Sequence, residues 1–303
     1  MFQGATVAET LPAMYGISLL EANSMILTRF ISLCRYIQIF AVISLLAAQV
    51  QASDVYYPDS LSKQQQKKLT AIASDFTISK PCKGTLLNLV KKGTYCITPQ
   101  RLYNFAAWLT LKDSTQNFVR KQLQIRYDFF TTSDTVSIDT TGYPHFGDPE
   151  NPIVITVYAS STCNLCKVVV RAVEDSILNG SLKNKAILVI KPFSAGIGDM
   201  AKMAAFRQNQ YKTFSDALAQ IKTRFTEKDL LTIADSIGLD MPKFTAALKD
   251  STTRAFLLKG RDEGVRNGVE VTPTFFINSK RYSSYKDPQW LIDAIPVIYE
   301  MLN

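Results

Sequence analysis

The spacing of apolar and polar residues changes along the chain and divides it into segments. Over residues 53–133 apolar positions recur at helical spacing, which predicts a small all-α domain with Thr98 and Ser114 as helix N-caps. A polar stretch rich in Thr, Ser, Gly and Pro (134–151) predicts a linker and edge segment. Residues 152–303 alternate β-branched runs with helical runs, and this predicts an α/β domain.

The order of elements within the α/β segment is also predicted. The runs PIVITVYAS and KAILVIKPF indicate buried strands, and NLCKVVVRAVEDSILNG between them indicates a helix, so the two strands should be parallel. Residues 198–268 predict an inserted helical block whose expected N-caps include Thr226, Asp240 and Ser251. VTPTFFIN and KRYSSY then predict two strands, followed by a last helix that Pro296 should kink or end.

The first 52 residues have the layout of a secretory signal peptide. Two arginines precede a mostly apolar stretch, and small residues follow it up to Ala52, where cleavage is expected. The signal would work best from Met25, and we therefore expect residues 1–24 to be an over-long start. The apolar run is shorter than the roughly 20 residues that span a bilayer, and a retained membrane anchor is the alternative. We therefore expect an exported, periplasmic protein.

The charge pattern argues against a nucleic-acid-binding function, and the single histidine has an expected structural role. The net charge of +8 at pH 7 comes from scattered lysines, and because no nucleic-acid-binding motif accompanies it, a nucleic-acid partner is not expected. The only histidine, His145, precedes the first core strand. We expect it to cap or pack there, and a catalytic role is the alternative.

The cysteines point to redox chemistry. Of the five, Cys34 would leave with the signal peptide, and four in an oxidising compartment suggest two disulfides. Cys82 and Cys96 are predicted to form a structural disulfide between two short helical pieces, with a second redox pair as the alternative.

Cys163 and Cys166 are separated by two residues at the start of a predicted helix. There the free amides and the helix dipole favour a thiolate, so Cys163 is the expected nucleophile and Cys166 the resolving thiol. A zinc site would need two more ligands, and a purely structural disulfide is the other alternative. About a hundred residues later, Pro273 precedes a strand, where a cis bond would hold the backbone exposed for pairing with an extended substrate. An ordinary trans proline is the alternative there.

The stretches GDPENPIVITVYASSTCNLCK and GVEVTPTFFINSKRYSSYKDPQWLIDAI resemble the DsbA-like thiol-disulfide oxidoreductases. The resemblance implies an α/β thioredoxin-like fold with a helical insertion, preceded by the small all-α domain. It also implies a Cys163–Cys166 redox pair, a cis Thr272–Pro273 bond that binds substrate, and no cofactor or metal. The expected partners are cysteine-containing polypeptides and a membrane or soluble redox partner that resets the pair; whether the chain forms a homodimer is left open.

Two positions depart from the pattern of that family. Asn164 and Leu165 stand where the oxidase DsbA has Pro-His, and Val157 stands where members often carry a buried acid six positions before the first cysteine. A less oxidising disulfide is therefore expected. The alternatives are an isomerase or reductase, and a non-catalytic chaperone or binding module on a thioredoxin scaffold.

Overall fold

The computed structural model describes residues 60–221, 224–285 and 287–302. The predicted signal peptide, its cleavage site at Ala52 and Cys34 lie outside these ranges. The helices are α1 (Lys63–Asp75), α2 (Leu86–Lys92), α3 (Thr98–Leu111), α4 (Gln116–Thr131), α5 (Asn164–Asn179), α6 (Ile197–Phe206), α7 (Tyr211–Gln220), α8 (Glu227–Ser236), α9 (Met241–Leu248), α10 (Ser251–Arg266) and α11 (Pro288–Leu302). The strands are β1 (Thr77–Ile78), β2 (Gly84–Thr85), β3 (His145–Phe146), β4 (Ile153–Ala159), β5 (Ala186–Pro192), β6 (Thr274–Ile277) and β7 (Lys280–Arg281).

Between residues 60 and 133 the chain forms helices and one short antiparallel pair, β1 and β2, which the helical spacing does not predict. Its helix starts also differ from expectation. Thr98 is the first residue of α3 rather than its cap, because the Glu300 carboxylate accepts the Ile97 and Thr98 amides instead. Thr115, not Ser114, caps α4.

The five-stranded sheet has the order β3-β5-β4-β6-β7. Strands β4 and β5 are parallel, with α5 between them in the chain, as the sequence predicts. The other neighbours are antiparallel, and β7 is shorter than the KRYSSY pattern suggests because only Lys280 and Arg281 join the ladder. Ala159 at the end of β4 pairs with Pro192, so both core strands end at the same edge.

Helices α5 and α11 supply apolar side chains to a core shared with the sheet. Val169 and Val173 of α5 join Val157 of β4 and Leu291 and Ile295 of α11 in one buried cluster. Helix α11 continues past Pro296 to Leu302, so the proline does not end it. Burial of this apolar surface fixes the start of α5 against the end of β4.

The inserted helices have a core of their own. Its buried members come from α6 to α10 and include Met200, Ala204, Phe214, Leu218, Leu230, Phe244, Leu248 and Leu257. Thr226 and Asp240 cap α8 and α9 as expected. Asp250, rather than Ser251, caps α10, since its carboxylate reaches the amides of the first turn.

The helices before residue 134 pack on α11. Arg126 of α4 is fully buried and forms an ion pair with Asp293 of α11 at 2.8 Å, and Arg101 of α3 contacts the same carboxylate. The Trp108 and Trp290 rings meet edge to face, with centroids 5.3 Å apart. Breaking a buried pair leaves an uncompensated charge, which makes this contact costly to separate.

Candidate active site

Cys163 and Cys166 form a disulfide at the junction between β4 and α5, with Cα atoms 5.2 Å apart. Cys163 is the N-cap of α5, and its Sγ accepts the Cys166 amide at 3.1 Å. A turn closed by the Cys163 amide and the Ser160 carbonyl connects the cap to β4. The sulfur of Cys163 therefore occupies the place where an N-cap oxygen usually accepts an amide.

The two sulfurs are not equally accessible. Cys163 is half-buried, while Cys166 is 6% exposed and belongs to the apolar core cluster. A disulfide is attacked by a thiolate at the sulfur that the thiolate can reach. Cys163 is thus the sulfur open to an incoming thiolate, and Cys166 is the inner partner.

The start of α5 favours negative charge on Cys163. The first turn of α5 contains no acidic residue, and the helix dipole places partial positive charge at that end. Lys167, which follows Cys166, donates to the Ile221 carbonyl at 3.0 Å. Amides and the dipole are therefore the main stabilisation of a thiolate at this position.

Pro273 lies beside the disulfide. The Thr272–Pro273 bond is cis, and Cys163 Sγ lies 3.4 Å from the Thr272 carbonyl oxygen. The Thr274 hydroxyl donates to the Val271 carbonyl at 2.6 Å and holds the turn before β6. The structure thus brings together all four residues that the sequence places at the centre: Cys163, Cys166, Thr272 and Pro273.

Three apolar side chains near the disulfide are exposed. Leu165 is 49% exposed, Val168 is 63% exposed, and Val271, next to Thr272, is 51% exposed. Sequence reasoning missed these residues, although Leu165 and Val168 stand out as apolar residues close to the cysteines on the outer side of the helix. They provide apolar area that a bound polypeptide would cover.

Asp199 is a second feature that the sequence did not suggest. It is buried in the first turn of α6, accepts the Ser161 amide at 2.9 Å and also accepts the Ser194 hydroxyl. Burial raises the pKa of the Asp199 carboxyl, although the hydrogen bonds from Ser194 and Ser161 oppose the shift. Asp199 thus ties the insertion to the turn that precedes Cys163.

Two other positions that the sequence singled out are His145 and Val157. His145 is exposed on β3, the edge strand, with Nδ1 3.4 Å from the Tyr143 carbonyl oxygen. Val157 is fully buried among apolar side chains, so the position of the missing acid offers no group that titrates.

Cys82 and Cys96 are free thiols in the structure and lie within hydrogen-bonding reach of each other. Cys82 is half-buried between β1 and β2, and Cys96 is buried just before α3. Burial raises the pKa of the Cys82 thiol to about 12, with further contributions from Cys96 and the Glu300 carboxylate. Their disulfide stays a prediction.

Two kinds of feature are absent from the described ranges. No helix there is long and apolar enough to span a bilayer. No group of three or more His, Cys, Asp or Glu side chains there is placed to hold a metal ion.

Several known proteins are similar to this chain. Among solved structures, a thioredoxin-like oxidoreductase from Silicibacter pomeroyi is 20% identical, with a TM-score of 0.47 over 55% of this chain and 99% of that one. Oxidised BdbD from Bacillus subtilis is 17% identical, with a TM-score of 0.48 over 55% and 100%. Wolbachia pipientis α-DsbA1 is 20% identical, with a TM-score of 0.46 over 54% and 94%.

Among curated proteins, the Na(+)/H(+) antiporter NhaA 3 of Salinispora tropica is 24% identical over 141 residues. That match covers 45% of this chain and 22% of the antiporter, so the chain spans less than a quarter of that relative's length. A family model described as "Thioredoxin" matches residues 139–295. Because this match covers more than half of the chain and includes Cys163, Cys166 and Pro273, the chain belongs to the thioredoxin family.

Proposed function

We propose that this protein is an exported thiol-disulfide oxidoreductase that exchanges disulfides with cysteine-containing polypeptides through Cys163 and Cys166. The observation that carries the proposal is the place of Cys163 Sγ, which accepts an amide at the start of α5 and lies 3.4 Å from the Thr272 carbonyl oxygen. At this position a Cys163 thiolate is stabilised by the helix start, and the backbone at Thr272 lies close enough to pair with a bound substrate chain.

The exchange takes two steps. A substrate thiolate attacks Cys163 Sγ, the Cys163–Cys166 bond breaks, and the Cys166 sulfur leaves with the electron pair and takes up a proton. A second substrate thiolate then attacks the substrate sulfur of the mixed disulfide, and Cys163 leaves as a thiolate. Two electrons pass from the substrate to the pair, and the reverse sequence reduces a substrate disulfide.

Substrate binding is assigned to the surface around Pro273. An extended chain next to the exposed Val271 and the half-buried Thr272 would pair with the backbone there, as in strand addition. The exposed side chains of Leu165, Val168 and Val271 would contact its apolar residues. These contacts do not require one particular sequence, which suits flexible polypeptides with a cysteine as substrates.

The direction of electron flow depends on the reduction potential. We expect a disulfide less oxidising than that of DsbA, whose potential is about −120 mV, because Asn164 and Leu165 provide no imidazolium beside the thiolate. Equilibration of the pair with glutathione buffers measures this value. A potential equal to or above that of DsbA would contradict the expectation and favour an oxidase over an isomerase or reductase.

The activity itself is tested with a fluorogenic peptide disulfide and a fluorogenic peptide dithiol. We expect turnover of one or both by the wild type and loss of turnover in Cys163→Ser. A chaperone or binding module would suppress aggregation equally well in that variant. Stoichiometric zinc in the reduced protein would instead favour a metal site.

Export is proposed from residues 1–52. We expect the mature protein to begin at Ser53 and to reach the periplasm, where a membrane or soluble partner resets the disulfide. N-terminal sequencing of fractionated protein tests this. An intact N-terminus in a membrane fraction would favour the retained anchor.

A further inference from the structure

A cavity of about 50 Å³ lies next to Cys166, on the side of α5 that faces the insertion. Its polar lining includes Ser160 and Ser161 from the turn before α5, and Lys167, Glu174, Lys202, Tyr211 and Ser215 from α5, α6 and α7. A cavity needs roughly 10–15 Å³ of such volume to hold one water molecule, so this one has space for a few. The resolving thiol therefore borders a polar space as well as the apolar core.

Lys202 differs from the other ionisable groups that line this cavity. It is half-buried on α6, and within the described residues its amine has no hydrogen bond or ion pair. Asp199, Lys167 and Glu174 are the charges around it. Asp199, Lys167 and Glu174 therefore act on the Lys202 amine through their charges and not through a hydrogen bond.

The remaining ionisable groups around the cavity are engaged. Lys167 donates to Ile221, and Arg171 of α5 lies 3.6 Å from Asp216 of α7. Lys212 of α7 lies 2.6 Å from Glu174 of α5 and 3.0 Å from Asp216.

Two further groups near the cavity are also occupied. Asp199 of α6 accepts two hydrogen bonds. Burial raises the pKa of Tyr211, which keeps its phenol protonated.

The chemistry of Cys166 requires a proton acceptor. In the reductive direction its thiol must lose a proton as the sulfur attacks the mixed disulfide on Cys163. On its apolar side Cys166 belongs to the core cluster that contains Val157, which cannot accept a proton. The cavity is the polar side from which an acceptor can act.

We propose that Lys202, as the neutral amine, accepts through cavity water the proton that the Cys166 thiol loses. The Cys166–Cys163 bond forms, the bond from Cys163 to the substrate sulfur breaks, and the substrate leaves with the electron pair as a thiolate. In the opposite direction the Lys202 ammonium returns the proton to the departing Cys166 sulfur. This inference rests on the proposed function.

The surroundings of Lys202 suit this exchange. Loss of hydration on burial lowers the pKa of the Lys202 amine, and Lys167 adds to the shift, while Asp199 and Glu174 oppose it. A lowered pKa increases the neutral fraction near pH 7, and a base whose pKa approaches the working pH is the most effective.

The test separates the two thiol steps. Reduced protein is mixed with a fluorogenic peptide that carries an internal disulfide, which stays bound to Cys163 until Cys166 attacks, and release of the peptide thiol is followed from pH 5 to pH 10. In Cys166→Ala the same mixing reports only the attack of Cys163. The variants are Lys202→Met, Lys202→Arg, and Lys228→Met as an exposed control on α8.

We expect Lys202→Met to slow release of the peptide thiol at pH 7 by at least about tenfold, since proton transfer is typically worth 10²- to 10⁴-fold. The slowing should diminish at high pH, where hydroxide removes the proton. Lys202→Arg should remain slow because arginine keeps its charge but does not deprotonate. In the Cys166→Ala background, Lys202→Met should not change the rate at which Cys163 attacks the peptide disulfide. Lys228→Met should release the peptide thiol at the wild-type rate.

Two outcomes would overturn the inference. Lys202→Arg could match the wild type, which would reduce the role of Lys202 to its charge, or Lys202→Met could keep the wild-type rate and pH profile. If the variants do not fold, the wild type still decides: its release step must show a pH inflection that the attack step in Cys166→Ala lacks. Absence of all exchange by the wild type would instead overturn the proposed function.

Discussion

The protein contains two cysteine pairs whose surroundings are opposite in kind. Cys163 is half-buried at a helix start, accepts an amide on its sulfur and has no acidic residue in the adjoining turn. Cys82 is half-buried beside the buried Cys96 and near the Glu300 carboxylate. The first surroundings stabilise a thiolate, and the second stabilise a neutral thiol.

The difference lies in the groups around the sulfur, which favour a thiolate at Cys163 and a neutral thiol at Cys82. Both pairs could be bridged, since the first is a disulfide and the second is within hydrogen-bonding reach. Only the first combines a half-buried sulfur with an N-terminal helix end and the neighbouring cis Thr272–Pro273 bond. At the second pair, burial and the nearby Glu300 carboxylate suppress ionisation of the Cys82 thiol.

The largest expected difference between the pairs is in trapping of substrate. Cys166→Ala leaves Cys163 without its resolving partner, so mixing the reduced variant with a peptide disulfide at pH 7 should trap close to one equivalent as a mixed disulfide on Cys163. Cys96→Ala, which leaves Cys82 unpartnered, should trap nothing on Cys82 in the same time. Mass mapping of proteolytic fragments measures both, and equal trapping at the two positions would remove the distinction.

Alkylation rates should differ next most. A thiol whose pKa is about 12 holds little thiolate at pH 7, and after allowing for its greater nucleophilicity Cys82 should react with iodoacetamide about a hundredfold more slowly than free cysteine. Its rate should rise about tenfold for each pH unit until the pH approaches that pKa. Cys163 in the reduced protein should react faster than free cysteine. A Cys82 rate that levels off near pH 8 or 9 would show that its surroundings do not suppress the thiolate.

The parts of this comparison that the sequence could predict are local. The strands β4 and β5, the helix between them and the position of Cys163 at its start follow from the runs of β-branched residues and the helical spacing that begins at Asn164. An N-cap sulfur and the Cys166 amide are three residues apart, so the contact between them needs only the helix itself. The approach of Thr272 was predicted from the family resemblance.

The parts that the sequence could not predict depend on distant residues meeting. Glu300 and Ile97 are 203 positions apart, so no spacing rule indicates that a carboxylate from α11 occupies the start of α3. Thr98 is a good cap residue by type, but Glu300 accepts its hydroxyl at 2.7 Å. Likewise, Lys202 looks like any surface lysine of a helix, and only the fold places it at the cavity that Cys166 also lines.

A disulfide between Cys82 and Cys96 should stabilise the fold without affecting exchange. Closing a loop of about 15 residues restricts the unfolded chain and is worth about 3 kcal/mol in the chain-entropy model. Urea unfolding of oxidised and reduced protein, both carrying Cys163→Ala and Cys166→Ala, isolates this contribution. Further replacement of Cys82 and Cys96 by alanine is the control and should remove the dependence on oxidant. No change in the free energy of unfolding on oxidation would contradict a structural disulfide.

The smallest predicted effect concerns Glu300, which connects the second pair to the rest of the molecule. Its carboxylate accepts the amides of Ile97 at 2.8 Å and Thr98 at 3.2 Å, and it also raises the pKa of Cys82. Glu300→Gln should therefore lower the free energy of unfolding by about 1 kcal/mol, the usual value of an N-cap interaction. Glu150→Gln, at an exposed loop position, is the matched control and should cost less than about 0.5 kcal/mol.

Glu300→Gln should also make the Cys82 thiol react faster, although it lowers the free energy of unfolding of the protein. Without the carboxylate the Cys82 thiolate meets less repulsion, so its pKa falls and its alkylation at pH 9 becomes faster. Because desolvation is the largest cause of the raised pKa, the pKa of the Cys82 thiol in this variant should stay well above that of free cysteine. A loss of stability with no gain in alkylation rate would mean that Glu300 caps α3 without acting on Cys82, and the contrast between the pairs would then rest on burial alone.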